Sequence, residues 1–131
     1  MTQNRSPGRA VVVLSMADLA PLVTDAQWIA AAFTPEELAD LGHRRDRPES
    51  LAARVAAKRA VLRATQGDGA DRASAREPDA LRRVEVLLGP DGAPLVRLAG
   101  TSDGSILVSI SHDGGLAGAV ALALDRGPES G

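Results

Sequence analysis

The eighteen residues Pro48–Thr65, PESLAARVAAKRAVLRAT, decide the fold. Leu51, Val55, Ala56, Val61 and Leu62 recur at helical spacing. Glu49 puts an acid in the first turn and Arg59 and Arg63 put cations toward the last, the charge order that the helix dipole favours. This pattern predicts a helix of about five turns, ending near Gln66-Gly67, with one face buried.

Upstream, the β-branched run Arg9–Ser15 (RAVVVLS) is too short for a helix and reads as a strand buried on both faces. Residues 16–33 alternate helix-forming segments with expected breaks at Pro21 and at Thr24-Asp25. Asp25 is the expected N-cap of a helix over Ala26–Phe33. Thr34, then Pro35, Glu36 and Glu37, starts another helix with a hydroxyl cap, a proline at the first position and an acid at the third. That helix should stop at Gly42. The connector HRRDRPES carries His43, Arg44, Arg45 and Arg47, either an anion-binding surface or a solvated loop.

Beyond the long helix, Gly67–Asp79 has no periodic apolar residues and reads as a loop or flap. The period then changes to two: Val84, Val86 and Leu88 share a face, GPDGAP supplies turn chemistry, and Pro94–Leu98 returns as a hairpin. Ser105–Ser111 and Leu116–Leu124 predict two more strands, joined by a tight return at Asp113-Gly114. The alanines of the last strand leave room for a helix to lie close. The expected fold is α+β, one long central helix on a mostly antiparallel sheet, with short helices near the N-terminus. Residues 9–125 are expected to form a single domain, with 1–8 and 126–131 flexible.

Composition excludes several functions. With no cysteine, disulfides, thiolate metal sites and a cysteine nucleophile are ruled out. Trp28 and Phe33 are the sole aromatics, too few for a base-stacking surface, and a net charge of -2 gives no global attraction to polyphosphate. Nucleic acid is not an expected partner. No apolar run approaches the roughly 20 residues of a membrane span, and no signal-type cleavage site is evident, so no membrane partner and a cytoplasmic location are expected.

Three segments resemble the holo-acyl-carrier-protein synthase (AcpS) family of the phosphopantetheinyl transferases, in the family's order: Phe33-Thr34-Pro35-Glu36-Glu37, Ala53-Arg54-Val55-Ala56-Ala57-Lys58, and GPDGAPLVRLAG leading to Ser109-Ile110-Ser111-His112. The resemblance runs from about Ala10 to Leu124. It implies transfer of the phosphopantetheine arm of coenzyme A to a serine of an apo acyl carrier protein, in polyketide or fatty-acid assembly. It also implies a trimer with the site between subunits. A magnesium ion, held by an aspartate of the first strand and a glutamate of the long helix, would offset the pyrophosphate charge.

Both carboxylates are replaced. As aligned, the strand aspartate falls on Val13 and the helix glutamate on Arg59, within Ala57-Lys58-Arg59-Ala60. An arginine there repels a cation, so magnesium is not expected and no metal ligand is assigned. The family's lysine four positions on is Arg63, which stays charged and cannot act as a base near neutral pH. Arg59 could itself replace the metal as counter-charge to a phosphate.

By the same resemblance, Arg54, Lys58, Arg63, Ser109, Ser111 and His112 are the candidates to hold coenzyme A or its phosphopantetheine arm; Arg54 and Lys58 otherwise read as a solvated helix face. Lys58, Arg59 and His112 are the candidate catalytic groups. Carrier proteins are commonly acidic, so Arg44, Arg45 and Arg47 are the expected docking residues. No Ser-His-Asp triad can be built around His43 or His112.

The first functional expectation is a degenerate AcpS-like protein that binds an acyl carrier protein without ordinary magnesium-dependent transfer, as a homotrimer or a mixed oligomer with a related subunit. One alternative is an enzyme repurposed for cyclisation, dehydration or isomerisation of a carrier-tethered acyl chain. Another is an active transferase with a displaced metal site or one acting within a mixed oligomer.

Overall fold

The computed structural model describes residues 8–42, 47–67, 69, 77–88, 93–98, 101–102 and 106–123, with backbone alone for Arg47, Leu88, Thr101, Ser102 and His112. Strand β1 (Gly8–Ser15) leads into helices α1 (Met16–Val23), α2 (Ala26–Ala32), α3 (Pro35–Leu41) and the 20-residue α4 (Arg47–Gln66). A short helix α5 (Asp79–Arg82) precedes strands β2 (Val84–Leu88), β3 (Pro94–Leu98), β4 (Thr101–Ser102), β5 (Ile106–Asp113) and β6 (Leu116–Ala123). The architecture is the expected α+β arrangement around one long helix.

The strands form two antiparallel sheets, ordered β1-β6-β5 and β2-β3-β4. In the first, α4 covers one face, and the small side chains Ala117, Ala119 and Ala121 of β6 let the helix approach closely. They meet a helix whose own Ala56, Ala57 and Ala60 have no exposed surface. The alanine-rich last strand serves the purpose read from its sequence.

From Leu51 to Leu62 every residue of α4 is buried except Arg59, which is half-buried. The single buried face expected from the periodicity is therefore corrected: sheet β1-β6-β5 closes on one side, and α1, β2 and α5 pack around the rest. A helix this rich in alanine leaves no bulky ridge to hold neighbours away, so it can be enclosed on all sides.

The local start signals behave as read. Asp25 Oδ1 accepts from the backbone N–H groups of Gln27 at 2.9 Å and Trp28 at 3.2 Å, capping α2. Thr34 and Glu37 form a reciprocal capping box on α3, which stops at Gly42 with φ of 61°.

Three local expectations are corrected. Pro21 lies inside α1 and does not break it; the break comes at Thr24 and Asp25. The β5–β6 return is not Asp113-Gly114 but Gly114-Gly115, at φ of 57° and 83°, because glycine meets two consecutive positive φ values at the least steric cost. Asp113 is the last strand residue, paired with Leu116. Finally, β1 is an edge strand buried on one face only: Ala10 and Val12 turn inward at 4% and 3% exposure, whereas Val11 and Val13 turn outward at 53% and 61%. A continuous β-branched run cannot by itself distinguish these two settings.

Residues 89–92 of the GPDGAP turn and most of the Gly67–Asp79 segment lie outside the described residues. No helix among the described residues is long and apolar enough to cross a membrane.

Candidate functional site

The candidate residues on α4 fall on two sides of the helix. Arg54 and Lys58 lie on its enclosed side, one turn apart, at 4% and 0% exposure. Lys58 Nζ donates to Ala32 O at 2.8 Å, Leu81 O at 3.1 Å and Glu37 Oε1 at 2.5 Å, and stands 4.4 Å from the centre of the Phe33 ring. An ammonium has three protons, so its donors are fully engaged.

Glu37 answers from the first turn of α3. Its Oε1 also accepts from Thr34 N at 2.9 Å, and its Oε2 accepts from Val86 N at 2.8 Å. One carboxylate thus joins α3, α4 and β2. The Thr34 hydroxyl donates to Glu85 Oε2 at 2.6 Å, and Glu85 is further paired with Arg97. Arg54 extends the junction through Val86 O at 3.0 Å and Asp40 Oδ2 at 2.9 Å.

Burial pushes the Lys58 ammonium down to about 8, against the upward pull of the Glu37 and Glu85 carboxylates and with a smaller downward push from Arg54. Burial likewise raises Glu37, opposed by Lys58 and the Val86 and Thr34 amides. Each charged form is costly to bury and is held by its partner and by backbone dipoles.

Arg54 and Lys58 do not lie on a solvated helix face: in this chain both side chains are held by the framework. The sequence held a signal for this, since Leu51, Val55, Lys58 and Leu62 form one continuous helical stripe. From the sequence alone Glu37 reads as a capping acid.

The other side of α4 presents Arg59 and Arg63, four residues apart. Arg63 Nη1 donates to Val11 O at 3.1 Å, reaching the edge strand β1 from the helix. Val13 points to the sheet face opposite α4, because the inward Val12 sets the alternation. The structure therefore does not turn Val13 toward Arg59. Ser15, the single oxygen-bearing side chain of β1, ends the strand and caps α1 by accepting from Asp18 N at 3.4 Å.

Ser109 and Ser111 are exposed on the outer face of the sheet, opposite Val120 and Gly118. Around them Val11, Val13, Leu107, Leu116 and Val120 are between 41% and 61% exposed, one apolar surface across three strands. His112 is in β5, paired with Ala117, and its side chain is outside the description. Arg44 and Arg45 lie outside the described residues, as does the Arg47 side chain. The expected ligand residues are thus divided between core, helix edge and outer sheet face.

Among the described residues no group of three or more His, Asp or Glu could hold a metal ion. The residues on the exposed side of α4 do not fit magnesium: two guanidinium groups bring positive charge and no oxygen ligand.

No family model matches the chain. It is 35% identical over 122 residues to the holo-acyl-carrier-protein synthase of Mycobacterium ulcerans, across 88% of this chain and 94% of that protein. The structure of the acyl carrier protein synthase of Mycobacterium tuberculosis matches with a TM-score of 0.61 at 35% identity, covering 88% of this chain and 94% of that one. A coenzyme A complex of the synthase of Chronobacterium ammoniagenes matches with a TM-score of 0.71 at 26% identity, covering 93% of this chain and all of that one.

Proposed function

The chain belongs to the holo-acyl-carrier-protein synthase family, and on that premise we propose that it binds an acyl carrier protein without carrying out the family's ordinary magnesium-dependent transfer. The observation that carries this reading is Arg59. It is the one position between Leu51 and Leu62 that is not buried, and a guanidinium stands there in place of the helix glutamate that the resemblance implies. Arg63 follows one turn later, so cationic charge is reinforced where a cation would be held.

Carrier docking is assigned to Arg44, Arg45 and Arg47, basic residues that complement an acidic partner. The carrier belongs to polyketide or fatty-acid assembly. Self-association, as a homotrimer or with a related subunit, is assigned to the outer face of sheet β1-β6-β5. Its five large apolar residues form an exposed surface of the kind that marks an interface.

Mass spectrometry of an apo acyl carrier protein incubated with coenzyme A and magnesium tests the reading. The chain should add no phosphopantetheine mass, while still retaining the carrier in a pull-down. Restoring carboxylates as Arg59→Glu with Val13→Asp tests whether the metal positions alone separate this chain from a transferase. Efficient labelling by the unaltered chain would overturn the proposal, as would failure to retain the carrier.

A further inference from the structure

The enclosure of α4 gives Arg59 a meaning beyond the loss of a carboxylate. For twelve residues, Leu51–Leu62, the helix is shut off from solvent by sheet and helices, and it opens only at this side chain. Between Leu51 and Leu62 Arg59 is the one residue that is not buried.

Arg63 continues the same face, since residues four apart on a helix are neighbours. Its Nη1 bond to Val11 O at 3.1 Å fixes the guanidinium against the β1 edge, so the second cation is positioned by the fold and not left to swing. A guanidinium carries five N–H donors in a planar fork matched to phosphate oxygens, and its charge does not depend on pH in the physiological range.

We infer that Arg59, supported by the anchored Arg63, holds the diphosphate of a coenzyme A-class ligand directly and in place of a divalent cation. This rests on the family reading above, from which the ligand class comes; the metal-independent mode comes from the arginine pair. The role is binding and orientation of the diphosphate, with the negative charge met by two cations, one of them anchored on β1. No group transfer is assigned to it.

Isothermal titration calorimetry of the full chain, with coenzyme A and separately with inorganic pyrophosphate, tests this in excess EDTA and again in excess magnesium chloride. Both probes should bind in EDTA, and magnesium should not tighten them. Arg59→Ala should weaken binding at least about tenfold, the scale of one lost charge-assisted contact. Arg63→Ala should weaken it too, with circular dichroism showing both variants folded. Arg59→Glu should abolish binding in EDTA.

Absence of binding in EDTA, binding that requires magnesium, or an Arg59→Ala variant that binds as well as the unaltered chain would each overturn the inference. Carrier retention is scored separately. A chain that binds pyrophosphate in EDTA but no carrier leaves this inference standing and sinks the carrier reading, and the reverse result does the opposite.

Discussion

Lys58 Nζ stands 2.5 Å from Glu37 Oε1 with both side chains at zero exposure, a fully buried ion pair that links the middle of α4 to the first turn of α3. Breaking such a pair from one side strands the other charge in the core. Lys58→Met or Glu37→Leu should each cost about 3–5 kcal/mol in urea unfolding, and the double variant Lys58→Met/Glu37→Leu should recover much of that loss. A double variant whose loss equals the sum of the two single losses would show that the two act independently.

The same pair imposes a pH dependence. The folded chain releases the Lys58 proton near 8, below the ordinary 10.5 that the unfolded chain keeps. The unfolded state therefore binds more protons across that window, and this group's contribution to stability rises with pH there, by at most about 1.4 kcal/mol per pH unit. Glu37 is raised, so on the acid side its contribution falls as pH climbs from 4.5 through its folded value. Urea unfolding at pH 8 to 10.5 should lose the alkaline rise in Lys58→Met; parallel curves would reject the assignment.

Gly8 begins β1 against the C-terminal part of α4. A Cβ built there would lie 1.8 Å from the carbonyl oxygen of Ala64, a backbone atom that cannot step aside. Gly8→Ala should destabilise the chain by about 1–3 kcal/mol through displacement of the strand from the helix. An unchanged melting temperature would mean that β1 can shift freely at this end.

The outer face of sheet β1-β6-β5 predicts concentration-dependent association. Val120→Lys and Val11→Lys place a charge among exposed Val13, Leu107 and Leu116 without disturbing the inward alanines. Sedimentation should show the unaltered chain as an oligomer and each variant shifted toward monomer. A monomeric unaltered chain would remove the surface from consideration.

Charge reversal at Arg44 and Arg45 should slow carrier association about tenfold or more at low salt and leave the rate nearly unchanged at high salt. Surface plasmon resonance at two ionic strengths reads this directly. An on-rate unaffected by reversal would place docking elsewhere.

Much of this molecule is determined by local sequence. The capping box at Thr34, the Asp25 cap, the stop at Gly42, the long α4 and the period-two strands all follow from residues near in sequence, because caps, turns and alternation depend on backbone geometry within a few residues. The arginines at 59 and 63, on which the proposed reading turns, are legible in the same way.

What tertiary structure decided is which surfaces meet. The run AVVV does not tell an edge strand from a central one; the β1-β6-β5 order does, and it turns Val11 and Val13 outward. Lys58 has the composition of a ligand residue until Ala32, Leu81 and Glu37, between 21 and 26 positions away, supply its three acceptors. Desolvation is set by all the neighbours that close around an atom, and most of them are distant in the chain. That is why the sequence named the charged groups of α4 but only the packed fold divided them into an interior junction and an arginine-lined opening.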